Sequence, residues 1–592
     1  MSTVSLVQKE QVVATQATDA ERATKWLEGF EGALLRSDRQ ALERMFADEC
    51  HWRDMVAFTW TISTREGKPD IIDHLLMVQP RIQAASFRLA QHRTPPRRVS
   101  RAGVQVIEAI FEFETATGRG NGLLRLPTSN IDCAWVLLTS LDEMKGHEEP
   151  IHERRPTGSG YTRIFGSDNW LDKRAKEQAF TDRDPAVLVI GAGQAGLGVA
   201  ARLKLLGVDT LVIEKHQRVG DNWRARYHSL TLHNEVQRNH LPYIPFPSSW
   251  PKFLPKDMLA GWFEHYAWAM ELNVWTGTSL VSGSYDEGAG HWNIVVNRGD
   301  GSEQVLRPRH MIFANGLSGI PRYVTLPGIE DFKGKVMHTH EYTDGSAWKG
   351  KRAMVLGTGS SGHDVAQDLH SHGAATSIVQ RGSTTVVSLE SSMINHSLYA
   401  EDFPLEDSDL ISAANTYPLL IRTYQGNVRK MVEIDRDLIA GLTARGFKLD
   451  MGEDETGHQM KLRRRGGGYY LNVGCSDLIV DGEIALVQND DIVRFVEDGA
   501  LMKDGRIEKA DLIVTASGYQ PPQEVVRQLL GNDIADRVGP IWGVAPDGEM
   551  NNMYRATAQK GLWFMGGGLA QCRIYSKPLA LQIKALEEGL VN

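Results

Sequence analysis

Near the start of the chain, apolar positions recur at helical spacing. Trp26, Phe30, Leu34 and Leu35 fall on one face, and Ala41, Leu42, Met45 and Phe46 suggest a second helix. IIDHLL (71–76) predicts a third, short one. Alternation at period two then takes over in VQVIEAIFEFE (104–114), GLLRL (122–126) and AWVLLTSLDEM (134–144), which predicts strands. Helices first and antiparallel strands afterwards indicate an α+β unit over residues 20–150. The polar, Gly-rich stretch that follows predicts a linker over 151–182 that wraps the next domain. Beyond 183 the pattern changes: short apolar runs lead straight into glycine-rich turns and then helical periodicity, the signature of α/β folds.

The first such turn is AVLVIGAGQAG (186–196), with Gly191, Gly193 and Gly196. In a strand–turn–helix unit these glycines serve a tight turn, close backbone approach to a pyrophosphate, and close helix–strand packing. The helix N-terminus offers free N–H groups to phosphates. A second strand, TLVIE, ends at Glu214, whose carboxylate can accept both ribose hydroxyls of an unphosphorylated adenosine. The pattern recurs in AMVLGTGSSG (353–362), with Gly357, Gly359, Ser360, Ser361 and Gly362. Glu214 lies 23 residues after Gly191, and Gln380 lies 23 residues after Gly357, with Arg381 beside it. A carboxylate there would repel a 2′-phosphate, whereas a guanidinium can pair with it. The expectation is FAD on the first Rossmann-type fold and NADPH on the second. The second fold is inserted into the first, giving an FAD domain over 183–345 and 466–592 and an NADPH domain over 346–465.

Composition narrows the class. The chain has 592 residues, 42% of them hydrophobic and 23% charged, and a formal net charge of −9. That length predicts several domains, and the charge offers no basic footprint for nucleic acid. No apolar run reaches the roughly 18 residues of a membrane span. The polar first 23 residues read as a flexible leader of a cytoplasmic protein. Cys50, Cys133, Cys475 and Cys572 form no CxxC pair and no metal-ligand spacing, so no metal site is expected.

FKGKVMHTHEY carries Phe332, Gly334, His338 and Tyr342 in the FxGxxxHxxxY/F pattern. With VGDNWRARYHSLTLHNEVQRNHLPYIPFP, FANG (313–316) and TASGY (515–519), it resembles the flavin-containing monooxygenases across about 183–592. Details around LPYIPFP and HEYTDG are similar to the branch of plant indole-pyruvate monooxygenases. Trp223, Tyr227, His233 and Gln237 match the family's FAD-contacting region, where the family's second glycine is Asp221 here. Residues 20–150 resemble, in element order, the nuclear-transport-factor-like or SnoaL-like cone, with HWRD (51–54) at its pocket region.

The resemblance implies that NADPH reduces FAD and that dioxygen forms a C4a-(hydro)peroxyflavin, which oxygenates a small molecule. A soft amine or sulfide, or a 2-oxo acid, would be the substrate, with Baeyer–Villiger oxygenation of a ketone as the alternative. The cofactors carry the chemistry, so no catalytic side chain is singled out. His338 reads as a hydrogen-bonding residue that holds the linker to the second fold, and Trp223 as either flavin contact or ordinary core. KLRRR (461–465) reads as a solvated loop. A disulfide reductase would need a dithiol, which the cysteine positions argue against. An NADPH oxidase or quinone reductase is opposed only by FxGxxxHxxxY, and a non-catalytic assembly protein by the intact glycines. Self-association is left open.

Overall fold

The computed structural model describes residues 18–157, 165–400 and 404–591. Residues 1–17 of the expected leader lie outside these; the rest of it already enters a helix. α1 (Asp19–Leu35) is closed at its start by a capping box, in which the Glu21 N–H donates to the Thr18 hydroxyl oxygen and the Thr18 N–H to the Glu21 carboxylate.

α2 (Arg39–Met45), β1 (Phe46–Met55), β2 (Ile62–Glu66) and α3 (Lys68–Ile82) follow, then β3 (Ala85–Leu89), β4 (Arg97–Arg101), β5 (Val104–Glu114), β6 (Gly118–Pro127) and β7 (Ala134–Met144). The sheet order is β2-β1-β7-β6-β5-β3, with β4 beside β5. β1 runs parallel to β7 and the other pairs are antiparallel. The expected sequence of helices first and strands afterwards is therefore corrected. Two strands precede the third helix, and HWRD lies on one of them. Alternation along β6 places Gly120 and Gly122 under the rings of Phe113 and Phe111. A Cβ at these positions would come within 2.3 and 2.1 Å of those rings, so only glycine leaves them room.

Both faces of this sheet are buried. Ile107, Phe111, Leu124 and Leu137 pack with Trp26, Phe30 and Ile71 of the helices. The alternate residues Val106, Ile110, Leu123 and Leu138 pack against Ile411, Ala413 and Leu419, far along the chain. The same alternation splits HWRD. Trp52 donates to the Thr139 hydroxyl, and that hydroxyl donates to Asp54 at 2.6 Å, on one face. Asp54 also accepts from Phe58 N, Thr59 N and the Thr59 hydroxyl. Burial raises its pKa to about 6 against these donors. His51 and Arg53 point the other way. His51 meets the Thr416 hydroxyl at 3.2 Å, and Arg53 makes a two-pronged ion pair with Glu549 at 2.8 and 2.6 Å. The pleat thus holds His51 and Asp54 on opposite faces of the sheet.

A helix, Trp170–Ala179, lies in the stretch between this unit and the next. It lies along the edge of the first nucleotide fold, where Trp275 Nε1–H donates to Gln178 O at 2.8 Å. That fold is a parallel sheet ordered 274–275, 210–213, 187–190, 310–313 and 562–564. A second parallel sheet is ordered 335–338, 512–515, 352–356, 375–380 and 485–488. Each is accompanied by a three-stranded antiparallel sheet. The strands at 335–338, 485–488 and 512–515 belong to the second sheet. The inserted fold therefore begins earlier than 346, and the chain returns to the first fold after Thr515, not at 466. No helix among the described residues is long and apolar enough to cross a membrane.

The Arg53–Glu549 pair is buried, and Arg53 also donates to Ala413 O at 2.7 Å. Arg53→Met would leave Glu549 without its cation, an expected loss of about 3–5 kcal/mol of stability in denaturant unfolding. The double variant Arg53→Met/Glu549→Leu should lose much less. Additive losses would show that the pair does not couple the two halves.

Candidate active site

The two glycine-rich turns have the same geometry. Gly191 has φ 107° and Gly357 φ 121°, a region closed to side chains. A Cβ on Gly191 would meet Ala314 O at 2.9 Å, and one on Gly357 would meet Ala516 O at 2.8 Å. FANG and TASGY therefore play one role in two folds, each laying an alanine carbonyl against the turn. Gly196 and Gly362 are forced by their own loops, since a Cβ would stand 1.8 and 2.0 Å from the carbonyl oxygens of Gly191 and Gly357.

The middle glycines are different. A Cβ on Gly193 would find only the Asn222 side-chain amide, at 3.1 Å, and one on Gly359 only Tyr469 O, at 4.0 Å. No backbone requires glycine at either position. Both are N-caps without a side-chain cap, of helices Gln194–Leu205 and Ser360–Ser371. The leading N–H groups of each helix have no intrahelical partner. The space at each glycine and these donors fit the pyrophosphate of a dinucleotide. Ser360 and Ser361 open the second helix, and the Ser360 hydroxyl donates to Tyr469 O at 3.2 Å.

At the second strand ends the folds diverge. Glu214 is buried and accepts one bond per oxygen, from Ala192 N at 2.8 Å and His216 N at 3.0 Å. Each oxygen keeps a lone pair for a ribose hydroxyl. Gln380 is fully buried and exchanges both amide bonds with the backbone of Lys448, at 2.8 and 2.7 Å. It ties the strand end to the segment around Lys448. Arg381, just past the strand, is exposed and has no ion pair among the described residues.

The loop after Glu214 spans both folds. Asp221 accepts from Arg218 N at 3.1 Å and pairs with Arg224 at 2.7 Å, so it closes the turn at the family's second glycine position. Trp223 is half-buried, yet its Nε1–H is shielded and unpartnered, a donor left for a bound group. Tyr227 donates to Asp364 of the second fold's helix, and His233 lies near enough to lower that carboxyl's pKa against burial, which raises it. The Gln237 side chain is exposed and donates to Glu235 at 2.7 Å. Asp364 and Asp368 were not singled out from the sequence. Their partners Tyr227 and Tyr342 were, and the (i, i+4) spacing on one helix was the available signal.

His338 and Tyr342 hold the junction between folds. His338 Nε2–H donates to Gly518 O at 3.1 Å, while Nδ1 accepts from His340 N at 3.0 Å. This pattern needs a neutral ring, and burial lowers its pKa accordingly. The Tyr342 hydroxyl donates to Asp368 at 2.6 Å. Arg322 N donates to Gly518 O and Gln520 N to Ile320 O, so the two connecting segments pair as a short antiparallel ribbon. KLRRR is not a solvated loop. It ends helix Gly457–Arg465, with Lys461 buried against Asp450 and Arg464 donating to the Tyr417 hydroxyl at 2.8 Å. Only Arg465 is exposed among its arginines.

Because a Cβ at Gly193 is crowded only by the Asn222 side-chain amide, which can shift, Gly193→Val should fold with near-normal thermal stability yet purify without flavin. Full flavin content in a folded Gly193→Val protein would contradict the assignment of that space.

Residues 184–523 match the family model described as flavin-binding monooxygenase-like. Indole-3-pyruvate monooxygenase YUCCA1 of Oryza sativa subsp. japonica is 31% identical over 352 residues, covering 59% of this chain and 80% of the relative. The probable indole-3-pyruvate monooxygenase YUCCA3 of Arabidopsis thaliana is 29% identical over 339 residues, covering 56% and 72%. In fold, the chain is similar to ε-caprolactone-bound cyclohexanone monooxygenase, with a TM-score of 0.51 at 17% identity over 68% of this chain and 88% of that one. Residues 1–183 lie outside the family match. The chain belongs to the flavin-binding monooxygenase-like family and is a flavin-dependent monooxygenase, with FAD and NADPH as the family's cofactors.

Proposed function

We propose that the chain is an NADPH- and O2-dependent monooxygenase of a small 2-oxo acid. The observation that carries this reading is the pair of matching nucleotide turns, each with a vacant-side glycine at a helix N-terminus, in a chain whose relatives are named for indole-3-pyruvate. FAD would lie on Gly191, Gly193, Gly196 and Glu214, with Trp223, His233 and Gln237 on its loop. NADPH would lie on Gly357, Gly359, Ser360, Ser361 and Gly362, with Arg381 pairing the 2′-phosphate. When bound, FAD supplies electron transfer and oxygen activation. The protein's own residues bind, orient and shield. The helix N-termini hold the phosphates, and the Glu214 lone pairs hold the ribose. Neutral His338 keeps the second fold docked by donating its Nε2–H to Gly518 O. The amino-terminal unit is an accessory cone of SnoaL-like type, docked through Arg53 and Glu549.

The overall reaction balances as 2-oxo acid, NADPH, O2 and a proton giving the acid one carbon shorter, CO2, NADP+ and water. Incubation with phenylpyruvate should yield phenylacetate in step with NADPH consumed. Stoichiometric hydrogen peroxide without organic product would refute the reading. A charge-assisted bond to phosphate is worth roughly 1.5–3 kcal/mol, so Arg381→Ala should weaken NADP+ binding by about 10–100-fold. NAD+ binding should change far less. Equal losses in calorimetric titration would make Arg381 a general support of the fold.

A further inference from the structure

A guanidinium is always charged and, where it is shielded from water, calls for an anion. Two half-buried arginines between the first fold and the 389–465 segment have no ion pair among the described residues. Arg238 follows Gln237 on the flavin-side loop, with its guanidinium 5.6 Å from the Tyr399 ring centre. Arg463 points inward from helix Gly457–Arg465. The Nε of each is buried without a partner, and neither side chain has an ion pair among the described residues. The nearby carboxylates are already engaged: Asp409 pairs with Arg573 at 2.7 Å, and Glu549 with Arg53. His396, nine-tenths buried, has both ring nitrogens unpartnered. Burial of the ring, with the positive charge of Arg238 beside it, lowers the pKa of His396 well below the usual histidine value. Both guanidiniums act on one hydroxyl, that of Tyr424, where they oppose the upward pull of burial.

This group stands beside the proposed flavin cradle. Arg573 donates to the carbonyls of Arg238 and His240, at 2.7 Å each, and so fixes the loop that carries Arg238. Arg573 lies on helix Leu569–Glu587, which starts at Gly568; the adjacent Gly567 accepts from Gln194, the first helical residue after Gly193.

We infer that Arg238 and Arg463, with His396 and the Tyr424 hydroxyl, form the binding site for the carboxylate of an aromatic organic acid substrate. The inference rests on the 2-oxo acid reading and adds where and how the acid is held. Two cations without an ion pair among the described residues supply the charge, and the Tyr399 ring, 5.6 Å from the Arg238 guanidinium, supplies an aromatic contact. Arg573, by contrast, is a positioning residue.

The test uses the FAD-loaded full chain and titration calorimetry with three probes: phenylpyruvate, its neutral counterpart phenylacetone, and NADP+. Wild type should bind phenylpyruvate at least about tenfold tighter than phenylacetone. Arg238→Gln and Arg463→Gln should each weaken phenylpyruvate binding by about 10–100-fold, as for a charge-assisted bond, and phenylacetone binding by less than about threefold. Arg463→Lys should recover part of the loss. Without ligand, both Gln variants should be at least as thermally stable as wild type, because a half-buried charge without an ion pair is removed. Equal affinity of wild type for both ligands, or equal loss of both in the variants, would overturn the inference. So would loss of NADP+ affinity with phenylpyruvate binding retained, which would assign the arginines to the nucleotide. If charge selectivity holds but no phenylacetate is formed, the functional reading fails and the site stands. If phenylacetate is formed without charge selectivity, the reverse holds.

Discussion

The His338 Nε2–H bond to Gly518 O, held in place by the local bond from His340 N to Nδ1, joins the segments on which the second nucleotide fold hangs from the first. One segment enters the second fold at 335–338, and the other leaves it through Gly518. Each ring nitrogen is committed, one as donor and one as acceptor, so the pattern tolerates a single tautomer. Tyr342 extends the lock to Asp368 on the second fold's helix, and Tyr227 reaches Asp364 one turn earlier on the same helix. The mutual placement of the two glycine turns depends on these contacts. A flavoprotein that passes electrons between two nucleotides needs that placement more than it needs any reactive side chain.

The amino-terminal unit is fixed by different physics. Its sheet buries apolar side chains on both faces, one against its own helices and one against the monooxygenase half. Such a double-faced sheet cannot expose one side to water as most antiparallel sheets do. The interface adds a buried ion pair, Arg53–Glu549, whose partners are also satisfied by Thr64, Ala413 and Tyr575. Docking of this kind fits an integral part of the enzyme better than a tethered passenger.

Much of the architecture was legible in the sequence because its signals are local. The glycine turns, Glu214 and the TLVIE strand fall within two dozen residues, and the physics that selects glycine there is backbone geometry. β1 was missed because both of its faces are buried, so polar His51, Arg53 and Asp54 occupy positions where alternation would place apolar ones. The limits of the inserted fold were misplaced because parallel strands pair far along the chain: Ala485–Gln488 joins Ala375–Gln380. KLRRR read as solvated because its partners Asp450 and Tyr417 are recognisable only after folding. Arg238 gave no sequence signal, since an arginine in a polar loop is ordinary until its surroundings are known.

The central claim is that one chain holds two dinucleotides in electronic contact. An anaerobic titration of the FAD-loaded protein with NADPH tests it most directly. The account predicts complete loss of the yellow absorbance at one NADPH per FAD, at a rate independent of protein concentration. Retention of the colour in the presence of bound NADPH would contradict it.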